Sequence, residues 1–185
     1  MGKWICAIVV VVGGMAVSAG CAGSTARCER AIGHIRSVVQ SGDLAVAKML
    51  IDAAIEDEQL ECTDEQCEAL SKLQEDIYTA YIIDRLRIAK DDVLARSDGY
   101  AALRSIGAAA RAAEDMDIEL KEINGLCAAA FFSAACQDLM AAREAEDEGD
   151  VELRDRLRAE ASKFISWALA LDPRVKPLVQ RTFGQ

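Results

Sequence analysis

Cysteine carries most of the chemical capacity in this 185-residue chain, which has seven of them. Cys62 and Cys67 enclose Thr63-Asp64-Glu65-Gln66, a segment with the form of a capping box, Thr63 at N-cap and Gln66 at N3. Cys62 then falls at N′ and Cys67 at N4, the two positions whose side chains meet in a hydrophobic staple. A disulfide there would close a small loop and contribute about 2 kcal/mol on chain-entropy grounds. The competing pairing joins Cys28 to Cys62 or Cys67 and ties the first helical hairpin to the second. Cys28 stands beside Arg27 and near Arg30, which makes it the candidate for an activated, nucleophilic thiol.

Other chemistry is sparse. Cys127 and Cys136 lie on one predicted helix, roughly 13 Å apart in rise. That exceeds the reach of a disulfide, so both are expected as small buried apolar residues. Cys62 and Cys67 lack a second Cys or His pair at metal-ligand spacing, and no metal site is assigned. The single histidine, His34, has Ala31, Ile35 and Val38 as helical neighbours and is expected to pack or sit at an edge. The run Glu144-Ala145-Glu146-Asp147-Glu148-Gly149-Asp150 lacks the alternation and closing Glu of a calcium loop. It is expected as a solvated helix end. Glu152, Arg156 and Glu160 form i, i+4 pairs on a helix surface. No catalytic residue, cofactor site or phosphate loop is assigned, and the chain is expected not to be an enzyme.

The elements that must position these residues are helical. Only Pro173 and Pro177 interrupt the chain, both near its end, and Ala, Leu, Glu and Arg dominate before them. The expected class is all-α, as three antiparallel hairpins. The first pairs about 26–40 with 44–58 through Ser41-Gly42-Asp43, with Leu44, Ala47, Leu50, Ile51, Ala54 and Ile55 on one face. The second runs from the capping box to about Arg96, turns at Ser97-Asp98-Gly99 and returns over Ala101–Ala113. Its centre, Ile77–Ile83, is apolar on more than one side and should touch two neighbours. The third extends from about Ile118 to Glu148, turns at Gly149-Asp150 and returns to Leu171. Leu126–Cys136, apolar all round, should be the most buried stretch, with Gly125 expected to kink or divide its beginning. Asp172-Pro173 should end the last long helix, leaving a short tail.

The amino-terminal segment has a different character. Lys3 precedes an apolar run from Trp4 to Val17, followed by Ser18-Ala19-Gly20-Cys21. The run falls short of the roughly 20 residues that cross a bilayer as a helix. This segment resembles a bacterial lipoprotein signal peptide, with residues 1–20 removed and Cys21 acylated. Ala19-Gly20-Cys21 matches the lipobox, while Ser18 stands where Leu or Val is usual. The resemblance implies diacylglycerol on the Cys21 sulfur, and usually a third acyl chain on its amine, enough for stable anchoring. Ala22, in place of the Asp that retains such proteins in the inner membrane, implies the outer membrane facing the periplasm, with the cell surface as the alternative. Residues 21–25 would be the lipidated cysteine and tether, and 26–185 one helical domain of ordinary size. Export would favour disulfides, and the five cysteines after Cys21 leave an odd thiol over.

Lys3 is the only charged residue before Cys21, so the remainder carries 20 basic and 31 acidic side chains. Its net charge of −11 argues against nucleic-acid partners. Gly42-Asp43-Leu44 with Ala47, Leu50-Ile51 and Ala54-Ile55 resembles the turn and second helix of a tetratricopeptide repeat (TPR). Ala161 and Ala168-Leu169-Ala170-Leu171-Asp172-Pro173 are similar to that repeat's close. The middle hairpin matches poorly, so the expectation is TPR-like or a related α-helical bundle. The resemblance implies a tethered, non-enzymatic module that binds or assembles an envelope protein. The alternatives are an envelope thiol protein working through a cysteine, and a binder of a small apolar ligand.

Overall fold

The structure is a computed structural model that describes residues 24–95, 98–120 and 123–183. Within them the chain is all-α: α1 (Ser24–Ser41), α2 (Leu44–Glu56), α3 (Asp64–Ala95), α4 (Gly99–Asp115), α5 (Ile123–Asp147), α6 (Val151–Leu171) and α7 (Lys176–Phe183). Consecutive helices pack on one another from α1 to α6, and α3 reaches both α1 and α5. Residues 1–23, and with them the expected signal segment and Cys21, lie outside the described residues.

Local chemistry fixes the helix ends. The Asp43, Asp98 and Asp150 side chains accept hydrogen bonds from the backbone N–H of Val46, Ala101 and Leu153, at 3.1, 2.9 and 2.9 Å. Each thereby satisfies a donor that the first helical turn leaves without a partner. The capping box is present in both directions. Thr63 N–H donates to Gln66 Oε1 at 3.0 Å, and Gln66 N–H donates to Thr63 Oγ1 at 3.3 Å. At the end of α5, Gly149 takes φ +80, a conformation that costs a Cβ-free residue nothing. Asp150 N–H then reaches Ala145 O at 2.8 Å, closing the helix. The same closure ends α4, where Ile118 N–H donates to Ala113 O at 2.8 Å, but Asp117 takes the left-handed position with φ 54.

Burial falls into two regimes. Around α1, α2 and the first half of α3 the core is aliphatic, with Ile35, Ile51 and Ile77 almost entirely enclosed. Each such side chain contributes roughly 1.5–3 kcal/mol. Ile77, Tyr78 and Ile82 are buried, as the two-sided apolar centre of α3 requires, while Ile83 is exposed. Further along, the buried residues of α4 and α5 are mostly alanines, which let backbones approach closely. Gly99 marks the tightest approach. A Cβ there would overlap the Ala134 backbone nitrogen and lie 2.7 Å from Ala134 Cα.

Three boundaries differ from expectation. α1 opens at Ser24, inside the expected tether. α5 begins at Ile123 and runs unbroken through Gly125. Leu171 ends α6, but helix resumes: Asp172 caps a 3-10 turn over Pro173–Val175, and α7 follows. Proline is well placed at a first helical position, because its missing N–H would have had no partner there. Pro173 therefore ends one helix and starts the next turn.

Candidate functional site

At the start of α3 the structure corrects the expected pairing. Cys62 is bonded to Cys28, with Cα atoms 5.6 Å apart, and Cys67 carries an exposed thiol. The physical reason is the docking of α1. Gln66 Nε2 donates to Thr25 O at 3.1 Å, holding the first turn of α1 over the first turn of α3. Cys28, fully buried, thus meets Cys62 from the core side, while Cys67 stays on the solvent side. The pairing formed is the competing one, Cys28 to Cys62: the N′ and N4 positions are set locally, whereas Cys28 arrives from 34 residues away. Because Cys28 is bridged, its candidacy as a nucleophile fails. Cys62 and Cys67 still share one cavity of about 270 Å³, walled by Ala54, Ile55, Leu60 and Leu70.

A second polar group sits where α2 crosses α3. Tyr78 Oη donates to Asp52 Oδ1 at 2.7 Å, and Lys48 Nζ donates to Asp52 Oδ2 at 3.0 Å. The Lys48 ammonium lies 4.3 Å from the Tyr78 ring centroid and 3.6 Å from Asp115 Oδ2 on α4. Burial disfavours the charged Lys48, but hydrogen bonds with Tyr78 and Asp52 and the Asp52 charge prevail, holding its pKa above the ordinary lysine value. Burial, with the bond to Asp52, pushes the Tyr78 phenol up as well. Both groups therefore keep their protons and act as a fixed donor pair that locks α2 to α3. The Lys48–Asp52 spacing of i, i+4 was visible in the sequence; Tyr78, 26 residues on, was not.

The third group joins α4, α5 and α6. Asp138 is only 4% exposed, and Tyr100 Oη donates to its Oδ1 at 2.7 Å. Its Oδ2 is buried with no hydrogen-bond partner. Burial raises the Asp138 pKa, the Tyr100 bond opposes this, and the nearby Glu160 charge adds to it. Tyr100 is also raised, by burial first, then by its bond to Asp138. Its ring stands edge-on to Phe164 at 5.5 Å. Phe131 and Phe164 in turn carry Trp167, with centroids at 5.3 and 5.7 Å. Trp167 remains 50% exposed. The sequence analysis assigned no role to Asp138 or Tyr100; the signal was an acid directly after the apolar stretch Leu126–Cys136, since a buried carboxyl demands a partner.

Of the remaining candidates, His34 is exposed on α1. Cys127 and Cys136 are half-buried on the continuous α5, and burial raises the Cys127 thiol pKa. Glu146, inside the acidic run, receives Arg158 Nη2 at 2.7 Å from across the α5–α6 turn. Among the described residues no cluster of His, Cys, Asp or Glu could hold a metal ion. α5 is long and apolar enough to cross a bilayer; here it packs between α4 and α6. No protein-family model, curated protein or solved structure matches the chain.

Proposed function

We propose that the chain is a bacterial envelope lipoprotein, held on a membrane through acylated Cys21 and acting as a non-enzymatic module that binds or assembles an envelope protein. The outer membrane, periplasmic face, is the favoured location. The pairs α1–α2, α3–α4 and α5–α6 are read as TPR-related hairpins. The observation that carries the binding role is Trp167. This half-exposed indole on α6, edge-on against Phe131 of α5 and beside Phe164, is large and costs little entropy to bury. Such residues dominate the energy of protein interfaces. The helix start at Ser24 supports a body lying close to the bilayer, because few residues separate it from Cys21.

Crosslinking followed by affinity purification from membranes tests both parts. The wild type should carry an acyl label and retain an identified envelope protein. Cys21→Ala should leave the membrane fraction, and Trp167→Ala should lose the partner while keeping its helix content. An unlabelled wild type, with Cys21→Ala still in membranes, overturns the anchor. Undiminished capture by Trp167→Ala overturns the binding surface. The apolar cavity beside Cys62 favours a second reading, a small apolar ligand. Fluorescent fatty-acid binding, lost in Leu60→Asp, would support it.

A further inference from the structure

At the junction of α1 and α3, Cys28 is bonded to Cys62, and the Cys67 thiol lines the same cavity as Cys62. We infer that Cys28, Cys62 and Cys67 form one disulfide-exchange site, whose substrate is the chain's own Cys28–Cys62 bond. The inference does not depend on the anchor or on a partner. Two observations carry it. The capping box is formed in both directions, which sets Cys62 at N′ and Cys67 at N4, positions whose side chains meet. Cys62 and Cys67 accordingly line the same cavity, with Leu60, Leu70 and Ser71 around them. Cys67 is exposed and carries a thiol, Cys62 is half-buried, and Cys28 is enclosed.

The step balances within the chain. The Cys67 thiolate attacks Cys62 Sγ and forms the Cys62–Cys67 bond. The Cys62–Cys28 bond breaks, and its electron pair leaves with Cys28 Sγ, which takes a proton from solvent. One disulfide exists before and one after, so no external oxidant or reductant is consumed. The two forms differ in what they tie. In one, α1 is bonded to the start of α3. In the other, the first turn of α3 is stapled to itself, and α1 is held by the Gln66–Thr25 hydrogen bond and the packing of Ile32 and Ile35.

Cleavage after glutamate makes the exchange readable, because Glu29, Glu61, Glu65 and Glu68 separate the three cysteines. The oxidised full chain is incubated in mildly alkaline buffer without added thiol and alkylated, and its linked peptides are mapped by mass spectrometry. A Cys62–Cys67 peptide should appear at the roughly 0.1–10% expected of a minor state, with matching label on Cys28. Cys67→Ser should show only the Cys28–Cys62 peptide and no label on Cys28. Cys28→Ser, checked for native helix content, should form the Cys62–Cys67 bond in oxidising glutathione. Label on Cys28 that persists equally in Cys67→Ser overturns the proposal, as does a wild type in which, of Cys28, Cys62 and Cys67, only Cys67 is labelled. If Cys28→Ser fails to fold, the dependence of Cys28 labelling on Cys67 decides alone.

Discussion

Tyr100 and Asp138 share a 2.7 Å hydrogen bond that leaves the second carboxyl oxygen of a nearly enclosed acid with no partner. Burial raises the Asp138 pKa above its unfolded value. The unfolded chain therefore gives up this proton at lower pH than the folded one. The sign follows: the contribution of Asp138 is most favourable below the ordinary aspartate range and is lost as pH rises through the raised folded value. Asp138→Asn keeps an acceptor for Tyr100 and removes the titration. Its stability relative to wild type should rise between acid and neutral pH, measured by urea unfolding. A difference constant with pH would refute this account. Tyr100→Phe, which strands both oxygens, should cost about 1–3 kcal/mol.

Gly99 and Gly33 are both helical glycines with opposite surroundings. A Cβ at Gly99 meets the backbone of Ser133 and Ala134 at 2.7 Å, whereas one at Gly33 meets nothing within 4 Å. Backbone cannot yield as a flexible side chain would. Gly99→Ala should therefore destabilise by about 1–3 kcal/mol or more, through displacement of α4 from α5. Gly33→Ala should stabilise by roughly 0.5–1 kcal/mol, through the helical preference of alanine. Denaturation midpoints of the two variants should move in opposite directions.

The Cys28–Cys62 bond spans 34 residues, and the chain-entropy relation gives it about 4 kcal/mol. Cys62→Ser should lower Tm by roughly 10 °C for a domain of this size. Cys67→Ser, at an exposed position, should shift it by little. Calorimetry of both variants under non-reducing conditions checks the contrast. Equal losses would refute the assignment.

Asp117 closes α4 in the left-handed region, where a side chain is strained and glycine is not. Asp117→Gly should stabilise by about 0.5–1 kcal/mol, as read from urea midpoints. A loss of stability would mean that the Asp117 side chain, rather than its backbone, holds the turn.

What was legible in the sequence was satisfied locally. Thr63 and Gln66 bond within one turn, Asp43 and Asp150 cap helices three residues away, and Gly149 supplies its own φ. The helix order and the turns follow from such short-range chemistry. What was not legible depends on how helices dock. Cys28–Cys62 could be named only as a competing pairing, because its choice rests on α1 lying over α3, and Tyr100 finds Asp138 across 38 residues. α7 was missed for a different reason, since proline both stops and starts helices and the preceding Asp172 cap decided in favour of a new turn.

The Cys28–Cys62 bond also sets how the body bears a pull. A load applied at residue 24 and resisted at the far end of the chain crosses from α1 to the threshold of α3 through sulfur. Residues 29–61, inside the covalent loop, carry no tension. The stretched length falls by roughly 110 Å for those 33 residues, at the extended span of a polypeptide. The hairpin nearest the amino terminus is thereby the part best shielded from mechanical unfolding. Strain passes directly to the 32-residue α3, the longest of the described helices.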